Sequence, residues 1–175
     1  MLLDIFLLDT NVISNAQKKK PHPTLAAWLD RQSKVAIPFP VIVEIEQGIR
    51  EVSISNPEKA SELRAWIDDI LESDILYPDI TPQVAQHLAA LQCCRPLKNL
   101  WRIDPNARKQ KSGQDLFIAA VSLAYELPIA TMDRDFVVIH RYFPLPGLYD
   151  PIRDEWLVHP EFGDAAYSEQ PSNAA

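Results

Sequence analysis

A chain of 175 residues, 47% of them hydrophobic and 23% charged, is long enough to bury one core, and its composition excludes a largely disordered protein. Its net charge of −7 argues against indiscriminate coating of nucleic acid, although it is compatible with a site built from acids. The opening MLLDIFLLDT lacks a basic start and carries Asp4 and Asp9, no run reaches the length of a membrane span, and the adjacent Cys93 and Cys94 suit neither a disulfide framework nor a zinc site, so a reducing cytoplasm is the expected setting.

In chain order, Ile5 to Leu8 is a short apolar run ending in Asp9-Thr10-Asn11, the pattern of a buried strand entering a turn. Residues 35–38 form a second such run. Pro40 suits the first turn of a helix through Arg50, with Ile42, Ile45 and Ile49 on one face. Asn56-Pro57 predicts a helix to about Glu72, and Thr81-Pro82 another through Leu91, each opened by a capping residue and a proline. Residues 94–111 read as a long link with Pro96, Pro105 and little periodicity. Ser112 then caps a helix to Tyr125 or Glu126, and residues 129–131 form a third apolar run, set off by Pro128 and followed by Met132-Asp133. From Pro144 the pattern decays, and residues 167–175 read as a frayed polar tail. Strands alternating with helices predict an α/β domain with a mainly parallel central sheet.

In such sheets ligands bind at the carboxyl ends of strands. Asp9 and Asp133 directly follow apolar runs, while Glu44 and Asp115 lie near the starts of predicted helices. Four acids gathered from these places would repel one another unless a hard cation with a preference for oxygen ligands, such as Mg²⁺ or Mn²⁺, joined them. Each acid also has a plainer role: Asp9 as a helix cap, Asp115 in a capping box with Ser112, Glu44 as a solvent-facing residue, Asp133 and Asp135 as turn residues. Gly48 lies one turn after Glu44 on the same helix face and leaves room beside its carboxylate. His22, His87, His140 and His159 have no metal-ligand spacing.

The order of the motifs favours the joint role. The segment LLDTNVIS resembles the opening strand and acid of PIN domains, particularly the VapC and FitB-like toxins; PFPVIVEIEQGI resembles their second motif, mapping to Glu44 and Gly48; SGQDLFIAAVSLAYELPIATMDRDF resembles the final pair, with acids at Asp115 and Asp133. The resemblance implies a three-layer α/β/α PIN-like domain over residues 1–150, followed by a C-terminal extension over 151–175. It implies a metal-dependent endoribonuclease with Mg²⁺ or Mn²⁺ held by Asp9, Glu44, Asp115 and Asp133, and with Thr10, Asn11 and Asp135 as auxiliaries. RNA as substrate, a cognate antitoxin as partner and a homodimer are further expectations. A catalytically silent PIN-fold module binding RNA or protein is the alternative.

Arg95, Lys98, Arg102, Arg108, Lys109 and Lys111 crowd into one segment around Trp101 and lead towards Asp115. A solvated loop is the ordinary explanation of such a run. Beside a nuclease site, the same cations would meet phosphates and Trp101 would stack on an unpaired base.

Overall fold

A computed structural model describes residues 5–100 and 114–160. The apolar run Ile5–Leu8 is β1, and it lies inside a five-stranded sheet of order β2-β1-β3-β4-β5, where β2 is Lys34–Ala36, β3 Ile129–Ala130, β4 Leu148–Asp150 and β5 Glu155–Val158. The first four strands are mutually parallel and β5 runs antiparallel to β4. The chain leaves β1 for β2 on one side and returns to β3 on the other. The carboxyl ends of β1 and β3 therefore border the crevice at which the strand order reverses.

The helices follow their local chemistry. α1, Thr10–Ala16, starts directly at Asp9, and α2, Pro23–Asp30, has a proline in its first turn and buries Leu25 and Trp28. α3 spans Phe39–Ser55, five residues beyond the expected end at Arg50, because nothing before Asn56 breaks it. Asn56 closes α3 by donating its N–H to the Val52 carbonyl at 2.8 Å and opens α4, Pro57–Glu72, by accepting from the Lys59 N–H at 3.0 Å. These two helices pair around a small core of Ile49, Ala60 and Ile67. α5, Pro82–Cys93, is capped by Thr81 as expected. α6, Gln114–Tyr125, buries Leu116, Ile118, Ala119, Ala120 and Val121, so apolar residues cover most of its circumference. Its one deeply buried hydroxyl, Ser122, donates to the Leu127 carbonyl at 2.7 Å and is thereby satisfied.

Three segments differ from expectation. Residues 95–100 of the expected link form a 3-10 helix, Arg95–Leu100, which buries Leu97 and Leu100; its single turn or two is too short to show periodicity. α7, Asp135–His140, stands where turn residues were expected. Beyond Pro144, β4 and β5 form a hairpin whose turn is held by Asp150 Oδ1 accepting from the Ile152 and Arg153 N–H groups at 3.0 and 3.1 Å. β5 of this hairpin lies within residues 151–175, the stretch expected as a C-terminal extension, and pairs with β4. Phe6, Trp28, Tyr149 and Trp156 pack together, with ring centroids 5.1–5.6 Å apart, and anchor this hairpin to α2 and β1. Ser112 and the tail at 167–175 lie outside the described residues. No helix among the described residues is long and apolar enough to cross a membrane.

Candidate active site

Asp9 is the residue at which β1 becomes α1. It is only 4% exposed, and its carboxylate accepts from the Thr10 N–H at 2.7 Å, the Asn11 Nδ2 amide at 2.5 Å and the Thr131 hydroxyl at 2.7 Å. Burial is the main influence on its pKa, which is pushed up to about 6 even though the Thr131 and Thr10 hydrogen bonds pull the other way; Asp133 and Glu44 add to the rise. Glu44, on the second turn of α3, accepts from the Thr10 hydroxyl at 2.6 Å. Thr10, through its backbone N–H and its hydroxyl, thus ties the first and second acids together.

The third and fourth acids come from the start of α6 and from the end of β3. Asp115 lies in the first turn of α6, and burial followed by the charges of Asp9, Asp133, Asp135 and Glu44 pushes its pKa up to about 7. The helix N-terminus favours an anion there, but it does not outweigh these effects. Asp133 follows β3; its N–H donates to the Thr131 hydroxyl oxygen at 2.9 Å, and its Oδ1 accepts from the Asp135 N–H at 2.8 Å. Asp115, Asp133 and Asp135 each bring a carboxylate oxygen within 4.8 Å of the others. Asp135, expected only as an auxiliary, therefore belongs to the tightest group of acids among the described residues. Asp9 and Glu44 stand near enough to that group for their charges to act on Asp115, and each is held by hydrogen bonds from its own neighbours.

Two further residues set this arrangement. Asn11 accepts from the Met132 N–H at 3.2 Å through Oδ1 and donates to Thr131 at 3.3 Å through Nδ2, so α1 is fastened to the end of β3. Thr131, fully buried, lies within the final motif, yet nothing there marks it for a role of its own; the only signal is its place as the first polar residue after an apolar strand, two before an acid. Its hydroxyl serves Asp9, Asn11 and Asp133 at once. Thr131→Val keeps the shape and leaves a buried carboxylate and a backbone N–H without that partner, so unfolding in urea should show a loss of about 1–3 kcal/mol, with Thr131→Ser losing less. Equal stability of Thr131→Val and the parent would remove Thr131 from this role.

Of the expected cationic residues, Arg95 is exposed and Lys98 half-buried on the 3-10 helix, which packs against α7. Trp101, Arg102, Arg108, Lys109 and Lys111 lie outside the described residues. His140 has a structural task, its Nδ1 accepting from the Leu145 N–H at 2.9 Å.

The architecture is that of an α/β domain whose acids gather where the strand order of a parallel sheet reverses. The chain belongs to the PIN domain family, whose model matches residues 6–141. It is 39% identical over 67 residues to ribonuclease VapC14 of Mycobacterium tuberculosis (strain CDC 1551 / Oshkosh), a match covering 37% of this chain and 64% of that protein's length. It is 28% identical over 133 residues to the plasmid stability protein StbB of Pseudomonas syringae pv. tomato (strain ATCC BAA-871 / DC3000), covering 74% of this chain and 88% of StbB. The fold is also that of FitAcB from Neisseria gonorrhoeae, at a TM-score of 0.57 and 23% identity over 84% of this chain and 97% of the other.

Proposed function

We propose that the protein is a divalent-metal-dependent endoribonuclease acting as the toxin of a toxin–antitoxin pair. The observation that carries this reading is the convergence of Asp115, Asp133 and Asp135 within 4.8 Å, with Asp9 and Glu44 close enough to raise the pKa of Asp115 further. A donor set made only of carboxylates, mutually repelled and partly buried, fits a hard cation such as Mg²⁺ or Mn²⁺. The likeness to a ribonuclease named VapC14 supports the choice of RNA. A small antitoxin as partner and a homodimer as the working form belong to the same proposal.

Asp9, Glu44, Asp115 and Asp133 are the residues assigned to the metal, with Asp135 contributing beside Asp133. When bound, the cation supplies positive charge to the scissile phosphate and makes a nearby water acidic enough to attack it. The protein's own part is to hold acids in place before substrate arrives. Thr131 and Asn11 fix the Asp9 carboxylate, and the Thr10 hydroxyl fixes one oxygen of Glu44. Asp133 is held through its backbone N–H, and its carboxylate in turn accepts from the start of α7. Such preorganisation is what positions charge without a cost at the moment of reaction.

The test is direct. Purified protein should cleave unstructured single-stranded RNA with Mg²⁺ or Mn²⁺, lose that activity in EDTA, and be poorly supported by Ca²⁺. Full cleavage in EDTA would refute the carboxylate mechanism, and binding without cleavage under any of these cations would identify a silent module.

A further inference from the structure

The end of α1 and the start of α4 enclose a groove of about 600 Å³ that lies away from the acids. Its cations are Lys18, Lys19 and Lys59, with Trp66 and the Asn56 cap between the two helices; Glu58 and Glu62 are its acidic members. Lys18 and Lys19 are exposed, and among the described residues no carboxylate pairs with any of these three lysines. In a chain of net charge −7, uncommitted cations at one groove are places where a polyanion can be held.

The groove is joined to the acids by two helices. α1 starts at Thr10, which is bonded to Glu44, and Lys18 and Lys19 follow its end; α3 carries Glu44 near its start and runs to Asn56 at the groove. The seven residues of α1 rise only about 10 Å. Gly48 stands one turn after Glu44 on the same face of α3, the face whose Glu44 meets Thr10 of α1. A Cβ there would meet nothing within 4 Å. Glycine in a helix interior costs about 1 kcal/mol relative to alanine, and no contact among the described residues requires it here. Space kept clear at such a cost suits the close approach of a ligand's backbone.

Resting on the ribonuclease reading, we propose that the groove holds phosphates of the RNA strand flanking the scissile bond, and that the strand reaches it from the acids by passing over Gly48. Lys18, Lys19 and Lys59 meet the phosphates, and the half-buried Trp66 offers an edge or face to a base. An RNA strand fits better than an acidic peptide because the other end of the path is the acid cluster, where a phosphodiester with its cation belongs and a bare carboxylate peptide does not.

The test uses the full chain carrying Lys18→Ala, Lys19→Ala and Lys59→Ala together, and separately Gly48→Leu. Binding of an unstructured RNA oligonucleotide is measured against salt in an Asp115→Asn background. Three lost phosphate contacts, at about 0.7 each for single strands, should lower the slope of log affinity against log salt by about 2. In the active protein the lysine variant should raise KM for the oligonucleotide at least tenfold more than KM for a dinucleotide, and Gly48→Leu should weaken the oligonucleotide in the same selective way. An unaltered slope overturns the proposal, as does an equal loss on dinucleotide and oligonucleotide. If RNA binding survives while only a protein partner is lost, the groove belongs to that partner and the proposal falls. Should the parent bind RNA yet never cleave it, the ribonuclease reading fails, while the salt slope still decides the groove.

Discussion

Asp115→Asn should lower RNA cleavage by more than about a hundredfold, the scale at which even indirect disturbance of metal ligands is felt, and should raise the melting temperature of the metal-free protein. The two effects have one origin. Asp115 is surrounded by Asp9, Asp133, Asp135 and Glu44, which oppose its ionisation without a cation and, on the proposed function, would share one when it is bound. Removing its charge therefore relieves the empty site and disables the filled one. Asp9→Asn offers the contrast. Asp9 accepts three hydrogen bonds, and an amide nitrogen placed opposite the Asn11 amide or the Thr131 hydroxyl cannot accept them all. That variant should lose activity and also about 1–3 kcal/mol of stability. A clear loss of metal-free stability in Asp115→Asn would instead favour a role in opening α6, as a capping residue.

In EDTA the protein should become less stable as pH rises from about 4 to about 8, and Mg²⁺ or Mn²⁺ should restore it. Asp115 has its pKa raised from 3.8 to about 7, and Asp9 from 3.8 to about 6. The folded state thus binds these protons more tightly than the unfolded chain. Their contribution is fully present below the unfolded pKa and is lost as pH climbs through the folded values. A tenfold difference in proton affinity is worth about 1.4 kcal/mol, so with Asp9 buried but Asp115 partly exposed and screened by water, a loss on the order of 2 kcal/mol, or roughly 5 °C, is the expected scale. Glu46, whose pKa is lowered chiefly by its hydrogen bond from Arg64, acts in the opposite sense but on the acid side of this window. Differential scanning calorimetry of the parent and Asp115→Asn across this range checks the point. The variant should show the shallower decline, and identical pH profiles would mean that Asp115 is not the titrating group.

What can be read from the residues alone is what local chemistry signals. Asp9 and Asp133 stand immediately after apolar strand runs, and Asn56-Pro57 and Thr81-Pro82 announce their helices with a side chain that can cap and a proline that costs no hydrogen bond. β4, β5 and α7 are each three to six residues long, too short for a period to stand out from its flanks. The hydroxyl of Thr131 is invisible for a different reason: its partners lie in another part of the chain, and only the register of β1 against β3 brings them within reach. The lysine groove likewise exists because α4 folds back along α3 and brings its first turns opposite the end of α1, a tertiary fact that a run of three lysines at 18–20 does not contain.

The span between Thr131 and Asp9 has a consequence for timing. The two are 122 positions apart, and the hydroxyl that steadies the first acid is made long after it. At roughly 5–20 residues per second, about 6–25 s separate the synthesis of Asp9 from that of Asp133. Until the later segment emerges, Asp9 lacks its Thr131 anchor and neither it nor Glu44 has Asp133 and Asp135 for company, so the emerging chain carries no assembled site. A chain cut short before β3 would lack Thr131, Asp133 and Asp135 and so could not gather the acids on which cleavage is proposed to depend.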